Sequence, residues 1–182
     1  MKSSLMKVAI KWTGILSGGM IILTLINYVI GIENIKGGVS IITQLIWWAF
    51  LITALAMSNT DYRKNHLNGF MKYGQAFQMG VLVGLFSSVV FSLFYYLFYQ
   101  FIDFDSFKET MDFATSQIVN NDNIPDEMKE EMIMKMADQT PLSTAIQYLW
   151  SSNIINIILM LIIAAFTKKK NNTFEETFKD VM

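Results

Sequence analysis

Uncharged polar side chains interrupt the most apolar stretches of this chain, and they are the residues best suited to chemistry there. In a bilayer, amide, hydroxyl and phenol groups hydrogen-bond between helices, or they line a pocket for a small ligand or a lipid head group. We favour interhelical hydrogen bonding and keep the pocket as the alternative. The candidates for such a layer, in the outer half of the membrane, are Asn27, Gln44, Ser92, Tyr95, Asn153 and Asn156.

Catalytic and metal-binding motifs are missing from the sequence. The chain has no cysteine and a single histidine, which excludes thiol catalysis, cysteine-bound zinc and the usual histidine-rich metal sites. It also lacks a Gly-x-Ser-x-Gly elbow, a His-Glu-x-x-His motif and a glycine loop that could bind phosphate. We therefore predict a protein that is not an enzyme and that uses no metal or cofactor.

The composition is typical of a membrane protein. Hydrophobic residues make up 53% of the 182 residues and charged residues only 16%. The apolar residues form four runs without Asp, Glu, Lys or Arg, each long enough as a helix to cross a hydrocarbon core of about 30 Å. Because ion-coupled pumps carry ionisable residues inside their spans, such transport is not expected. The predicted spans are residues 12–32, 38–59, 76–101 and 142–167, within a single integral membrane domain, 1–182.

Basic residues predict the orientation of these spans. Ten of the 14 Lys and Arg flank the N-terminus, the second connection or the tail (residues 168–182), whereas residues 103–138 hold ten acids and three lysines. Because positive flanks stay in the cytoplasm, we expect both termini to be cytoplasmic and residues 103–140 to be external. The net charge of −1 provides no basic field for nucleic acid.

The external segment has the pattern of a helical hairpin. The apolar stripe of span three continues through Phe107 and Ile118, so we expect that helix to run on beyond the membrane. Residues 120–123 interrupt the pattern, and Pro125 suits the start of a second helix. Met128, Met132 and Met136 form one apolar edge of that helix.

Two further local signals concern the last span and the tail. Thr140 and Pro141 have the order of a cap followed by the first helical residue, so they predict the start of span four. In the tail, Thr173 and Glu176 have the spacing of a capping box. A short interfacial helix is expected there.

Small residues are spaced for close helix contact at two places. Gly14 and Gly18 in span one, and Gly80 and Gly84 in span three, each form a Gly-x-x-x-Gly ridge. Packing within one chain is favoured over the alternative, a homo-oligomer interface.

The stretch Asn68-Gly69-Phe70-Met71-Lys72-Tyr73-Gly74-Gln75-Ala76-Phe77, preceded by Tyr62-Arg63, resembles the domain-of-unknown-function family 4199. That family consists of small bacterial membrane proteins with about four spans and a polar stretch before the last. The resemblance implies an inner-membrane location and supplies no activity. In physical terms the stretch is the connection that leads into span three. Its glycines permit a bend, and Lys72 is expected to face the cytoplasmic head groups.

Taken together, the sequence predicts an all-α, four-helix transmembrane bundle with an extramembrane helical hairpin between spans three and four. We expect a non-enzymatic interaction or scaffold subunit, surrounded by the lipid bilayer, with a membrane or periplasmic protein as partner. The alternative is a small permease or a lipid- or ligand-binding component that uses the outer polar layer.

Overall fold

The computed structural model describes residues 2–31 and 38–169, and most of them lie in six α-helices. The described ranges contain no β-strand, so the all-α fold class is confirmed. The helices are α1 (Lys2–Ile30), α2 (Gly38–His66), α3 (Tyr73–Phe101), α4 (Phe104–Val119), α5 (Asp126–Ala137) and α6 (Pro141–Thr167).

Four of these helices, α1, α2, α3 and α6, are long and apolar enough to cross a membrane. Large apolar side chains such as Ile22, Ile46 and Leu93 remain exposed along them. In water such exposure would be unfavourable, but lipid is as apolar as these side chains. The chain therefore has the architecture of a membrane protein. The helix expected in the tail lies outside the described residues.

The chain divides into two compact units, one formed by residues 1–88 with 152–182 and the other by residues 89–151. In the first unit, α1 meets α2 where the ring of Phe50 lies against Gly19. Helix α2 meets α6 through Asn59, whose side-chain amide donates to the Thr167 hydroxyl at 2.9 Å. Helix α3 meets α6 through Tyr73, whose hydroxyl donates to the Leu161 carbonyl at 3.0 Å.

The connection between α2 and α3 is tied to the end of α6. Asn68 and Gly69 have φ angles of 52° and 85°, in the left-handed region where a turn favours glycine or asparagine. Met71 and Lys169 then exchange two backbone hydrogen bonds, both 2.9 Å long. Arg63 adds a third tie, because its guanidinium donates to the Thr167 carbonyl at 2.8 Å. We call residues 67–72 together with 167–169 the clamp.

In the second unit, α4 is a separate helix and does not continue α3 as the apolar stripe predicted. The backbone N–H groups of Ile102 and Asp103 both donate to the Phe98 carbonyl, which closes the last turn of α3. Asp103 then caps α4, since its Oδ1 accepts from the Ser106 N–H at 3.2 Å. A capping aspartate satisfies the free N–H groups of a new helix, so the chain stops one helix and starts another here.

Helix α4 contacts α5, and the helical hairpin predicted between the third and fourth long helices is confirmed. Phe107 and Ile118 are buried. Pro125 is the N-cap of α5, one residue before the position that the sequence suggested. The hydroxyl of Thr140 accepts from the Ser143 N–H at 3.1 Å and so caps α6, which begins at Pro141.

Candidate functional site: a groove beside Asp61 and an exposed hairpin

Two of the predicted polar residues connect α6 to α3 in the first unit. The Asn153 side chain donates to the Ser88 hydroxyl at 2.9 Å, and the Asn156 amide donates to the Val81 carbonyl at 3.5 Å. Asn156 is buried, and its Oδ1 receives no hydrogen bond from the described part of the chain. A buried amide with one free acceptor is costly, so close packing must hold it in place.

The other four candidates are distributed over α1, α2 and α3. Asn27 is half-buried on α1 and Gln44 is exposed on α2. In the second unit, the Ser92 hydroxyl donates to the Ala145 carbonyl at 2.6 Å, and the Tyr95 ring stacks parallel to Tyr148 with centroids 6.3 Å apart. A pocket shared by all six side chains stays a prediction.

The glycine ridge of α3 faces a helix of the same chain. A Cβ atom built at Gly80 would overlap the side chain of Met160, and one at Gly84 would overlap the Asn156 amide. Only glycine leaves room for α6 at these two positions. This close approach also confines Asn156 to its site.

The glycine ridge of α1 has a different environment. Gly14 and Gly18 have no atom within 4 Å of a built Cβ, whereas the adjacent Gly19 lies against the ring of Phe50. The close contact between α1 and α2 is therefore made one residue away from the spaced pair. A spacing motif identifies small residues but does not say which of them meets a neighbour.

A polar cluster that the motif search did not identify surrounds Asp61 of α2. One carboxylate oxygen accepts from the Lys11 ammonium at 2.8 Å and from the Trp12 indole N–H at 2.7 Å. The other oxygen accepts from the Asn65 side chain. The Asp61 side chain is only 14% exposed, whereas that of Lys11 is 59% exposed. Three donors thus stabilise a largely covered charge.

An open groove of about 530 Å³ lies beside this cluster, between α1 and α2. None of the six predicted polar residues lines it. Its walls combine an apolar part with a polar part, which is the usual make-up of a ligand pocket. The lining residues are Lys11, Trp12, Ile52, Thr53, Ala56, Met57, Thr60, Asp61, Lys64 and Asn65.

Sequence reasoning missed this groove because its charged residues stand at the ends of apolar runs. In the sequence, Lys11 and Lys64 were interpreted only as basic residues that flank the spans and indicate their orientation. Asp61 directly follows the second apolar run. One signal was available, namely a single acid among the basic residues of the connection between the second and third spans. An acid at a lysine-rich helix end is a candidate for an ion pair with the neighbouring helix.

The second candidate surface is α5, the second helix of the hairpin. No residue of this helix, which is described in full, is buried. Met128, Met132 and Met134 are exposed large hydrophobic residues. Lys135 donates to Glu131 and holds the pKa of that carboxyl below its usual value. The helix thus presents flexible apolar side chains among negative charges.

The clamp is built from the stretch of sequence that resembles a known family. Gln75 accepts the Lys72 N–H through its side chain at 2.9 Å and so caps α3, while Met71 is buried at 1% exposure. The family model described as "Protein of unknown function (DUF4199)" matches residues 11–169. The protein belongs to the DUF4199 family. Neither a curated protein nor a solved structure matches the chain.

In this DUF4199 protein the family-like stretch therefore has a structural explanation. Gly69 makes the turn, and Met71 and Tyr73 fix that turn to α6. The side chain of Gln75 caps the N-terminus of α3. Gly74, by contrast, has open space around it. The stretch positions three helices.

Proposed function

We propose that this DUF4199 protein is a non-enzymatic interaction subunit of the bacterial inner membrane, and that its α4–α5 hairpin binds a partner protein. The observation that carries the proposal is that α5 buries no residue and exposes the side chains of Met128, Met132 and Met134. Methionine is frequent at binding surfaces because its flexible side chain adapts to different partners. Helix α5 contacts α4, which has buried residues of its own, and α5 keeps its exposed side chains available to a partner protein.

The charge of the hairpin selects the chemistry of the partner. Residues 103–138 carry ten acids against three lysines, and two of those lysines already pair within α5, Lys129 with Asp126 and Lys135 with Glu131. The surplus is negative, so a basic protein segment with apolar anchor residues is complementary. An anionic membrane surface would repel this helix, which favours a protein partner over a lipid surface.

The distribution of basic residues supports the proposed orientation, with both termini and the clamp in the cytoplasm and the hairpin outside. The absence of cysteine from the sequence makes this easy to test. Asn123→Cys in the hairpin should react with an impermeant maleimide on intact spheroplasts. His66→Cys, at the end of α2, should react only after the membrane is opened. The opposite pattern would overturn the orientation.

The alternative is a small permease or lipid-binding component that uses the outer polar layer. It requires the six polar side chains to surround a common space. The bonds from Asn153 and Asn156 to α3 support an interpretation in which these amides serve helix packing. We therefore prefer the interaction subunit.

Photo-crosslinking in native membranes tests the docking proposal. A photoreactive residue at Met134, exposed on α5, should give one discrete protein adduct, and the same residue at Thr110, exposed on α4, should give much less of it. The double substitution Glu127→Lys with Glu130→Lys should abolish the adduct without changing the amount of folded protein. Equal crosslinking at both sites, or an adduct insensitive to charge reversal, would contradict the proposal.

A further inference from the structure

The groove between α1 and α2 has a graded lining that runs along one face of α2. Ile52, Ala56 and Met57 form its apolar part, and Thr60 and Lys64 continue the same face toward the end of the helix. Ile52, Ala56, Thr60 and Lys64 recur every four positions, and residues four positions apart lie on one side of a helix. From residue 52 to residue 64 the face extends about 18 Å, slightly more than one leaflet of hydrocarbon, which is about 15 Å thick.

The polar end of the groove carries a surplus positive charge. Asp61 neutralises one cation, and its oxygens already accept from Lys11, Trp12 and Asn65. The ammonium of Lys11 is held in place by this bond and still faces solvent. Lys64 also lines the groove and is exposed. Two ammonium groups and one carboxylate leave a net charge of about +1.

We propose that this groove binds one anionic phospholipid from the leaflet that surrounds the C-terminal end of α2. The phosphate of the lipid accepts hydrogen bonds from Lys11 and Lys64, and one acyl chain lies along Ile52, Ala56 and Met57. Asp61 is a positioning residue, because it fixes the direction of the Lys11 ammonium. This site is separate from the hairpin and does not depend on a protein partner.

The order of groups in the groove is what distinguishes a lipid from a small soluble ligand. A soluble anion would need only the charged end, whereas the apolar wall would stay unused. A phospholipid matches both parts, since its head group is charged and its chain is apolar. Trp12 also fits this position, because tryptophan prefers the level of the head groups.

Native mass spectrometry of the full-length protein in detergent, titrated with phosphatidylglycerol or phosphatidylcholine, tests the proposal. The first bound phosphatidylglycerol should be held at least about fivefold more tightly than phosphatidylcholine, the factor expected for one basic charge at a membrane surface. Lys11→Gln with Lys64→Gln should remove this preference. The matched control, Lys7→Gln with Lys72→Gln, removes two exposed lysines that do not line the groove, one in α1 and one directly before α3, and should preserve the preference.

Two further measurements separate the possible occupants. Thr53→Trp, which places a bulky side chain in the apolar part of the groove, should weaken phosphatidylglycerol while leaving both lysines in place. Millimolar inorganic phosphate should not displace the lipid. Displacement by phosphate would identify a site for a free anion and overturn the lipid assignment. Equal loss in the control variant, or no preference in the unmodified protein, would overturn it as well.

Discussion

The clamp and the hairpin connect long helices of the same chain, yet they are built in opposite ways. In the clamp, six residues make the turn from α2 to α3, and main-chain bonds to Lys169 fix it. The hairpin uses residues 102–140 to connect α3 to α6, and its second helix buries no residue. The clamp uses its backbone N–H and C=O groups in hydrogen bonds within the protein, whereas the second helix of the hairpin keeps its side chains at least partly exposed.

The difference separates polar groups that are engaged in packing from side chains that remain exposed. The stretch that resembles the family pattern is engaged in holding α2, α3 and α6 together. A family-like motif can therefore report on assembly of the fold instead of on activity. The hairpin and the groove beside Asp61 retain exposed side chains, so both proposals concern them.

The largest expected effect comes from a pair of methionines that differ in burial. Met71→Asp places a charge at a position that is 1% exposed, whereas Met134→Asp acts at one that is 66% exposed. We expect Met71→Asp to lower the free energy of unfolding by about 3–5 kcal/mol, as for other buried unpaired charges. Met134→Asp should change it by less than about 0.5 kcal/mol. Unfolding in mixed micelles with increasing sodium dodecyl sulfate measures both.

Similar losses for the two methionine variants would remove the distinction between a packed clamp and an open hairpin. A stable Met71→Asp variant would mean that the clamp is not closed in the membrane. Met134→Leu is the control for the second site, because it keeps an apolar side chain of similar volume.

A second pair asks how far the tight packing extends from the clamp into the helices. Gly84→Ala should force the Asn156 amide to move and cost about 1–3 kcal/mol, the usual range for overpacking. Gly14→Ala meets open space and should be neutral or stabilising by up to about 1 kcal/mol, since alanine is the better helix former. Thermal unfolding in the same detergent compares them. A neutral Gly84→Ala variant would contradict the close approach of α3 and α6.

The smallest expected effect concerns the two glycines of the family-like stretch. Gly69 has a φ angle of 85°, so Gly69→Ala should cost about 1–2 kcal/mol of unfolding free energy. Gly74 lies in α3 with open space around it, and Gly74→Ala should not destabilise. If both substitutions were equally tolerated, the turn of the clamp would not depend on a left-handed residue at position 69.

Secondary structure and the number of long helices could be predicted because they depend on local composition. Runs without charge predicted α1, α2, α3 and α6, and Pro125 and Pro141 indicated the starts of α5 and α6. The capping role of Asp103 was not predicted, although an aspartate is a common cap. A continuous apolar stripe on both sides of it concealed the break.

Contacts between distant residues were beyond the sequence. Lys11 and Asp61 are 50 positions apart, and nothing in their local pattern indicates that α1 and α2 bring them together. The six predicted polar residues were grouped by depth in the membrane, but depth does not determine which face of a helix a residue occupies. The packed faces of Asn153 and Asn156 could be recognised only after α3 and α6 had been placed side by side.

The pairing of Met71 with Lys169 uses only main-chain atoms. It therefore depends on the number of residues between α6 and position 169, and not on the side chain at that position. Replacing Lys169 with almost any residue other than proline should preserve it. An extra residue inserted between Thr167 and Lys169, by contrast, would shift the register and separate the two bonds. Natural variants of this protein should therefore show many different amino acids at position 169, but few insertions or deletions between residues 167 and 169.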